Sequence, residues 1–234
     1  MTPPPVPPEI ERLGEDALLL RFGSAIDAAT NARVHAAAHR LASARPPWLL
    51  DIVPAYSSLA LFVDLAAFPS TANPLDVATH WLRAQDLDGE RVGVESRLIE
   101  IPVHYGGDDG PDLDDVAAHA RLSADEVVAR HAALECTVAM LGFAPGFPYL
   151  LGMDPALATP RLQTPRTRVA AGSIGIGGAQ TGIYPRELPG GWNLIGRTPL
   201  QLFDVGRDPP ALLAPGMRVR FRAIDAHEFA ALSR

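Results

Sequence analysis

The chain has 234 residues, 47% of them hydrophobic and 20% charged, with a net charge of −7, enough to bury one large core or two small ones. The acidic balance and the lack of a long basic run argue against nucleic-acid binding, which needs a basic face. No apolar run approaches the ~20 residues of a membrane span, and Cys136, the single cysteine, cannot form an internal disulfide, so a cytoplasmic location is the default expectation. Lysine is absent, and every Lys/Arg position is arginine. That excludes a P-loop ATPase, a Schiff-base or pyridoxal enzyme, and a biotin carrier, each of which needs a lysine amine.

Residues 1–8, Met-Thr-Pro-Pro-Pro-Val-Pro-Pro, read as a stiff, disordered tail without the basic and apolar regions of a signal peptide. Residues 9–96 read as an α+β domain. Ala17–Phe22 forms a strand, and Asp27 caps a helix to about Leu41 with Val34, Ala38 and Leu41 inward. Trp48–Val53 and Ser58–Val63 are strands joined through Pro54-Ala-Tyr-Ser57. Asn73 and Pro74 open a second helix, running to about Leu87, with Leu75, Ala78, Trp81 and Leu82 inward. Arg97–Val103 is a fourth strand. The order β-α-β-β-α-β is that of a ferredoxin-like α/β sandwich. The domain boundary falls near Arg97–Val103, and that strand fits either side.

Residues 97–234 change character. Asp108, Asp109, Asp112, Asp114 and Asp115 lack the spacing of a calcium loop and read as helix caps and solvated charge. A short helix spans Asp112–Ala120, and Ser123-Ala-Asp-Glu126 is a capping box for the next, ending near His131. Thr137–Leu141, Leu200–Phe203 and Arg218–Arg222 read as strands. Between Leu141 and Asp204, glycine and proline are too dense for long helices, so the backbone must be short strands and tight turns, and many short strands with regular turns suggest a closed β-barrel. From Pro155 to Leu200 the charges are Arg161, Arg166, Arg168, Arg186 and Arg197 against Glu187. Two readings stand side by side. The guanidinium groups line a site for a carboxylate or phosphate, or they merely solvate a barrel whose turns require glycine.

Several chemistries fail on spacing. Gly175-Ile-Gly177 with Gly178 lacks the third glycine of a dinucleotide loop, since position 180 is Gln and Tyr184-Pro185 follows. Ser173 is not in a nucleophile elbow, and Cys136 reads as a buried thiol. His35 and His39 lie four apart without a third ligand, so no metal site is expected. His104 and His131 stand out because they fall next to the turn-rich region. His131 ends a helix, where the helix dipole favours imidazolium, a structural role that competes with an acid–base one. Trp192 and Tyr184 fit either barrel core and turn or a ligand surface, and Gln180 is an amide that a core would not select without a partner.

Gly142-Phe-Ala-Pro-Gly-Phe-Pro-Tyr-Leu150, Gly182-Ile-Tyr-Pro185 and Gly191-Trp-Asn-Leu-Ile-Gly-Arg-Thr-Pro199 closely resemble the allophanate hydrolase subunit 1 family. The resemblance extends to Tyr56-Ser-Ser-Leu59 and Ile101-Pro-Val-His-Tyr-Gly-Gly107. The family includes the B-type chain of 5-oxoprolinase, the member type most resembled, and an inhibitor of a sporulation histidine kinase. The resemblance implies an α+β N-terminal domain and a cyclophilin-like barrel. It also implies two partners in a 5-oxoprolinase assembly, a C-type chain of the allophanate hydrolase subunit 2 kind and an A-type chain. The expected activity is ATP-dependent opening of 5-oxo-L-proline to L-glutamate, with ATP and Mg2+ acting at the level of the complex, no covalently bound cofactor, and the isolated chain inactive. In that reading His131, Arg168, Gln180 and Arg197 are the candidate catalytic residues. Tyr184, Trp192, Thr198 and Arg166 are the candidate substrate-binding residues. Ala170, Gly175–Gln180, Leu188 and Cys136 depart from the family's usual pattern. Two alternatives remain: a regulator that binds and inhibits a sensor histidine kinase, and a carboxyltransferase-type subunit of urea carboxylase or allophanate hydrolase.

Overall fold

The computed structural model describes residues 6–87 and 97–233; most of the Pro-rich tail, residues 1–5, lies outside them. The chain divides into two compact units, Met1–Glu95 and Ser96–Arg234. In the first, strands β1 (Glu9–Leu13), β2 (Ala17–Arg21), β3 (Leu49–Pro54) and β4 (Ser58–Val63) form one antiparallel sheet in the order β1-β2-β4-β3. Helices α1 (Ala28–Ser43) and α2 (Pro74–Arg83) pack on it. Each helix starts where its cap is expected: the Asp27 carboxylate accepts the Thr30 N–H at 2.8 Å, and Asn73 accepts those of Leu75 and Asp76. Leu18, Leu20, Leu59, Leu61 and Val63 meet Val34, Ala37, Leu41, Leu75, Ala78 and Leu82 in the core. Ala38 and Trp81 are only partly buried, and α2 stops at Arg83, short of Leu87.

The helix-on-sheet sandwich is present, but its route differs from β-α-β-β-α-β. The fourth strand is β1, turned back through Gly14 (φ +70°) onto β2. The stretch read as the fourth strand pairs elsewhere.

That stretch is β5 (Leu98–Tyr105), which opens the second unit. Helices α3 (Leu113–Ala120) and α4 (Ala124–Ala132) follow, α4 held by the Ser123–Glu126 capping box. Then come β6 (Glu135–Leu141), β7 (Pro148–Leu151), β8 (Arg166–Val169), β9 (Ser173–Gly177), β10 (Gln180–Ile183), β11 (Leu188–Gly190), β12 (Asn193–Arg197) and β13 (Arg218–Ala223). Helix α5 (Ala226–Leu232), which the sequence pattern does not announce, ends the described chain. Seven strands close into a barrel in the order β10-β7-β6-β13-β5-β12-β9, with β9 pairing back on β10. All barrel pairs are antiparallel except β5 with β13. β8 and β11 form a separate two-stranded sheet. Ile101, Val103, Val138, Leu150, Ile174, Ile176, Ile183, Ile195, Val219 and Phe221 fill the interior. Leu200–Phe203 is not a strand; Phe203 makes one isolated bridge to Ala211, which directly follows Pro209 and Pro210.

Close backbone approach sets the barrel's rim. A Cβ on Gly110 would overlap the Ile195 carbonyl, and one on Gly172 (φ +83°) would overlap that of Thr198. Substituting Gly110→Ala should therefore cost about 3 kcal/mol. The check is urea unfolding followed by Trp192, the one tryptophan in this half of the chain; an unchanged midpoint would contradict the close approach.

Candidate functional site

Six of the candidate residues fall into three groups. The first is internal. His131, at the end of α4, is 0% exposed, with Nδ1 2.8 Å from the Tyr105 hydroxyl and Nε2 3.1 Å from Thr181 Oγ1. Thr181 gives its own proton to the Gly175 carbonyl at 3.1 Å. It therefore accepts from Nε2–H, and Nδ1 accepts from Tyr105. Phe221 lies against the imidazole, with centroids 4.3 Å apart. Burial pushes the His131 pKa down to about 3 and the Cys136 thiol up to about 12, and it raises the Tyr105 phenol as well. The group is neutral and fully hydrogen-bonded at physiological pH. An acid–base role for His131 does not fit this geometry: the ring is sealed in the core, where the cost of charging it outweighs the pull of the helix dipole.

The second group is an aromatic shelf. Phe147 meets Phe143, Tyr184 and Trp192 edge-on at 5.3–5.7 Å. Tyr149 stands 6.1 Å from Trp192. Glycines make the stacking possible. Added Cβ atoms on Gly175, Gly177 and Gly182 would press on Trp192, and one on Gly190 would strike the Tyr184 hydroxyl. Burial raises the Tyr184 phenol pKa, partly offset by a hydrogen bond from the Trp192 backbone. The Arg161 guanidinium lies 5.5 Å over Trp192, a cation–π contact. Arg166 Nη2 donates to Asp112 at 2.7 Å, and the other oxygen of Asp112 takes the Leu194 N–H at 2.7 Å. Arg166 Nη1 is buried without a partner among the described residues. Thus Arg166, Tyr184 and Trp192 come together. Asp112 is neither a side-chain helix cap nor solvated charge; it fixes β12 to an arginine.

The third group sits at the far end of β12, roughly 16 Å along the strand from Trp192. Arg197 pairs across β12/β5 with His104. His104 Nδ1 is 2.8 Å from Asp109 Oδ2, and Asp109 Oδ1 is 3.7 Å from Arg197 Nη1. Arg197 Nε donates to the Ala171 carbonyl at 2.8 Å, and its guanidinium lies 5.9 Å from the centre of the Phe229 ring. Thr198 is buried next to this group and accepts the Leu200 N–H. The sequence singles out His104 without giving it a site role, and it does not nominate Asp109. The signal that could have found them is the short His104–Asp109 interval across two glycines. Asp109 is not the solvated acid that its acidic neighbours suggest.

Two further candidates lie apart. Arg168 is exposed and makes a bidentate pair with Glu187 at 3.0 and 2.9 Å. Gln180 is half-buried at the start of β10, beside the turn at Gly178. Among the described residues no three His, Cys, Asp or Glu side chains converge to hold a metal, and no helix is long and apolar enough to cross a membrane.

The buried histidine gives stability a pH dependence. Its folded pKa is depressed, so between pH about 6.5 and about 3 the unfolded chain takes up a proton that the folded barrel refuses. Its contribution is complete above about 6.5 and is lost as pH falls toward 3. His131→Gln should be less stable than the parent at pH 7, and the gap should narrow at about pH 4.5 in urea unfolding. A gap independent of pH would show that the imidazole charges freely.

With the geometry described, relatives place the chain. The B-type chain of 5-oxoprolinase from Bacillus subtilis (strain 168) is 42% identical over 227 residues, covering 94% of this chain and 95% of the relative. Its namesake from Escherichia coli O157:H7 is 43% identical over 212 residues, covering 89% and 93%. The crystal structure of TTHA0988 superposes with a TM-score of 0.76 at 40% identity, covering 90% of this chain but only 40% of that one. Residues 8–213 match the carboxyltransferase domain, subdomain C and D. The chain therefore belongs to the family of the carboxyltransferase domain, subdomains C and D, and within it resembles the B-type chain of 5-oxoprolinase.

Proposed function

We propose that this chain is the B-type component of an ATP-dependent 5-oxoprolinase, which opens the lactam of 5-oxo-L-proline to give L-glutamate. The observation that carries this reading is the 42% identity to the Bacillus subtilis relative across 94% of the chain. The remaining parts of the enzyme are A- and C-type chains, the latter of the allophanate hydrolase subunit 2 type, in a cytoplasmic complex. Neither a P-loop nor a dinucleotide loop is present in the sequence, which supports placing the ATP site on a partner and the isolated chain being inactive. Mg2+ would then arrive with ATP.

5-Oxoproline offers a carboxylate and a lactam, and an arginine suits the first. Two surfaces present one. At the Arg197 end the cation stands beside an oriented imidazole. On the aromatic shelf it is Arg166, whose Nη1 is buried without a partner among the described residues. We assign the substrate to the Arg197 end, because there an imidazole oriented by a carboxylate stands beside the cation. Arg168 is occupied by Glu187 on the surface.

The test is reconstitution of the complex from its three components and measurement of glutamate released from 5-oxoproline and ATP. Wild-type complex should turn over, and this chain alone should not. Arg197→Ala should lower kcat/KM at least about tenfold, and Arg168→Ala should change it less than about threefold. If Arg166→Ala abolishes turnover while Arg197→Ala does not, the substrate lies on the aromatic shelf instead.

A further inference from the structure

Of the seven histidines, His104 alone joins three features among the described residues. Its ring is oriented by a carboxylate, it stands beside an arginine, and it is partly open to solvent. The His104 side chain is 28% exposed and that of Asp109 20%. Asp109 holds Nδ1, and Nε2 has no protein partner among the described residues. The hydrogen bond to a carboxylate fixes the tautomer with the proton on Nδ1, which leaves the Nε2 lone pair free to accept a proton.

The backbone around the pair is rigid. Gly106 (φ +72°) and Gly107 (φ +54°) turn the chain after β5, and Asp109 follows on a 3-10 turn, Gly107–Asp109. Gly110 then packs directly on the Ile195 carbonyl. A Cβ on Gly196 would stand 2.8 Å from the His104 carbonyl, so β12 and β5 also meet without side-chain padding. On the other side, α5 is fixed by the Asp225 cap on Glu228 N–H (2.7 Å) and by the pair Arg222–Glu228 (2.7 and 3.2 Å). That places Phe229 against both His104 (6.0 Å between centroids) and Arg197. A surface ion pair held only for stability would not need a ring locked in one orientation with its second nitrogen open.

We infer that His104 is the general base of the lactam-opening step, with Asp109 as its positioning residue and Arg197 holding the substrate carboxylate. The inference rests on the 5-oxoprolinase reading. In the step, Nε2 takes a proton from water as the water oxygen bonds to the lactam carbonyl carbon. The ring C–N bond then breaks with its electron pair remaining on nitrogen. The imidazolium proton passes to that nitrogen, which becomes the amine of glutamate. The base is regenerated. ATP phosphorylates the lactam oxygen beforehand and leaves as ADP, so C–N cleavage yields an acyl phosphate; a second water then attacks that carbonyl carbon and releases inorganic phosphate, leaving the side-chain carboxylate of glutamate. The arrangement shares the logic of a histidine oriented by a carboxylate in hydrolases.

The experiment uses the reconstituted complex with His104→Gln, Asp109→Asn and wild type, each first checked for assembly by size exclusion and for melting temperature. His104→Gln should assemble normally and lose glutamate release about a hundredfold or more in kcat, with a smaller change in KM for 5-oxoproline. The acidic limb of the wild-type kcat/KM–pH profile should vanish in His104→Gln and be displaced in Asp109→Asn, which a merely structural role would not do. Should His104→Gln fail to assemble, Asp109→Asn carries the test through its pH profile. Activity of His104→Gln within about threefold of wild type, or an unmoved acidic limb in both variants, overturns the proposal alone. A wild-type complex that releases no glutamate overturns the 5-oxoprolinase reading and this proposal with it.

Discussion

The second unit depends on places where the backbone leaves no room for a Cβ. Gly110 against Ile195, Gly172 against Thr198, and Gly196 against His104 clamp the β12 end of the barrel from three directions. Each close approach removes a side chain that would otherwise hold the segments apart. The result is a strand whose far end carries Arg197 at a fixed distance from the Asp109 carboxylate. At the near end the same device works on aromatic rings: Gly175, Gly177, Gly182 and Gly190 accept Trp192 and Tyr184 at van der Waals contact. Glycine here sets the geometry of side chains on neighbouring strands.

Two histidines on the same barrel show how surroundings decide chemistry. His131 is sealed among Tyr105, Thr181 and Phe221, and both ring nitrogens are satisfied. Such a ring fixes packing, since a buried polar network that is complete specifies one arrangement and resists charging. His104 has one nitrogen held by a carboxylate and the other open. It stands at the edge of the core and not inside it: Ile101 and Val103 on the same strand are fully buried, and His104 follows at the rim. The strand thus delivers a titratable group to the mouth of the barrel while its preceding residues anchor it.

Much of the architecture was legible because its signals are local. The Asn73-Pro74 start and the Ser123–Glu126 capping box mark helices through hydrogen bonds within one turn. The dense glycine and proline between Leu141 and Asp204 announced short strands, and the family motifs announced the barrel. What was not legible depends on pairings far along the chain. β1, Glu-Ile-Glu-Arg-Leu, is mostly exposed and carries almost no hydrophobic pattern, so nothing in it signals a strand. β5 has the pattern of a strand for either unit, and its pairings with β12 and β13, far later in the chain, assign it. The site divides in the same way. Arginines were visible as candidates, but sequence does not say that Glu187 occupies Arg168 or that Asp109 reaches His104. His131 drew attention from its place at a helix end, while its burial comes from strands β5, β10 and β13.

The central claim is that one imidazole of this barrel is a poised base and the other a closed structural group. Nitrogen NMR of the chain labelled at histidine tests it most directly, with His104→Gln and His131→Gln used for assignment. The account predicts opposite tautomers: a proton on Nδ1 and a bare Nε2 in His104, and a proton on Nε2 in His131. A His104 signal with its proton on Nε2, or averaged equally between both nitrogens, would contradict it.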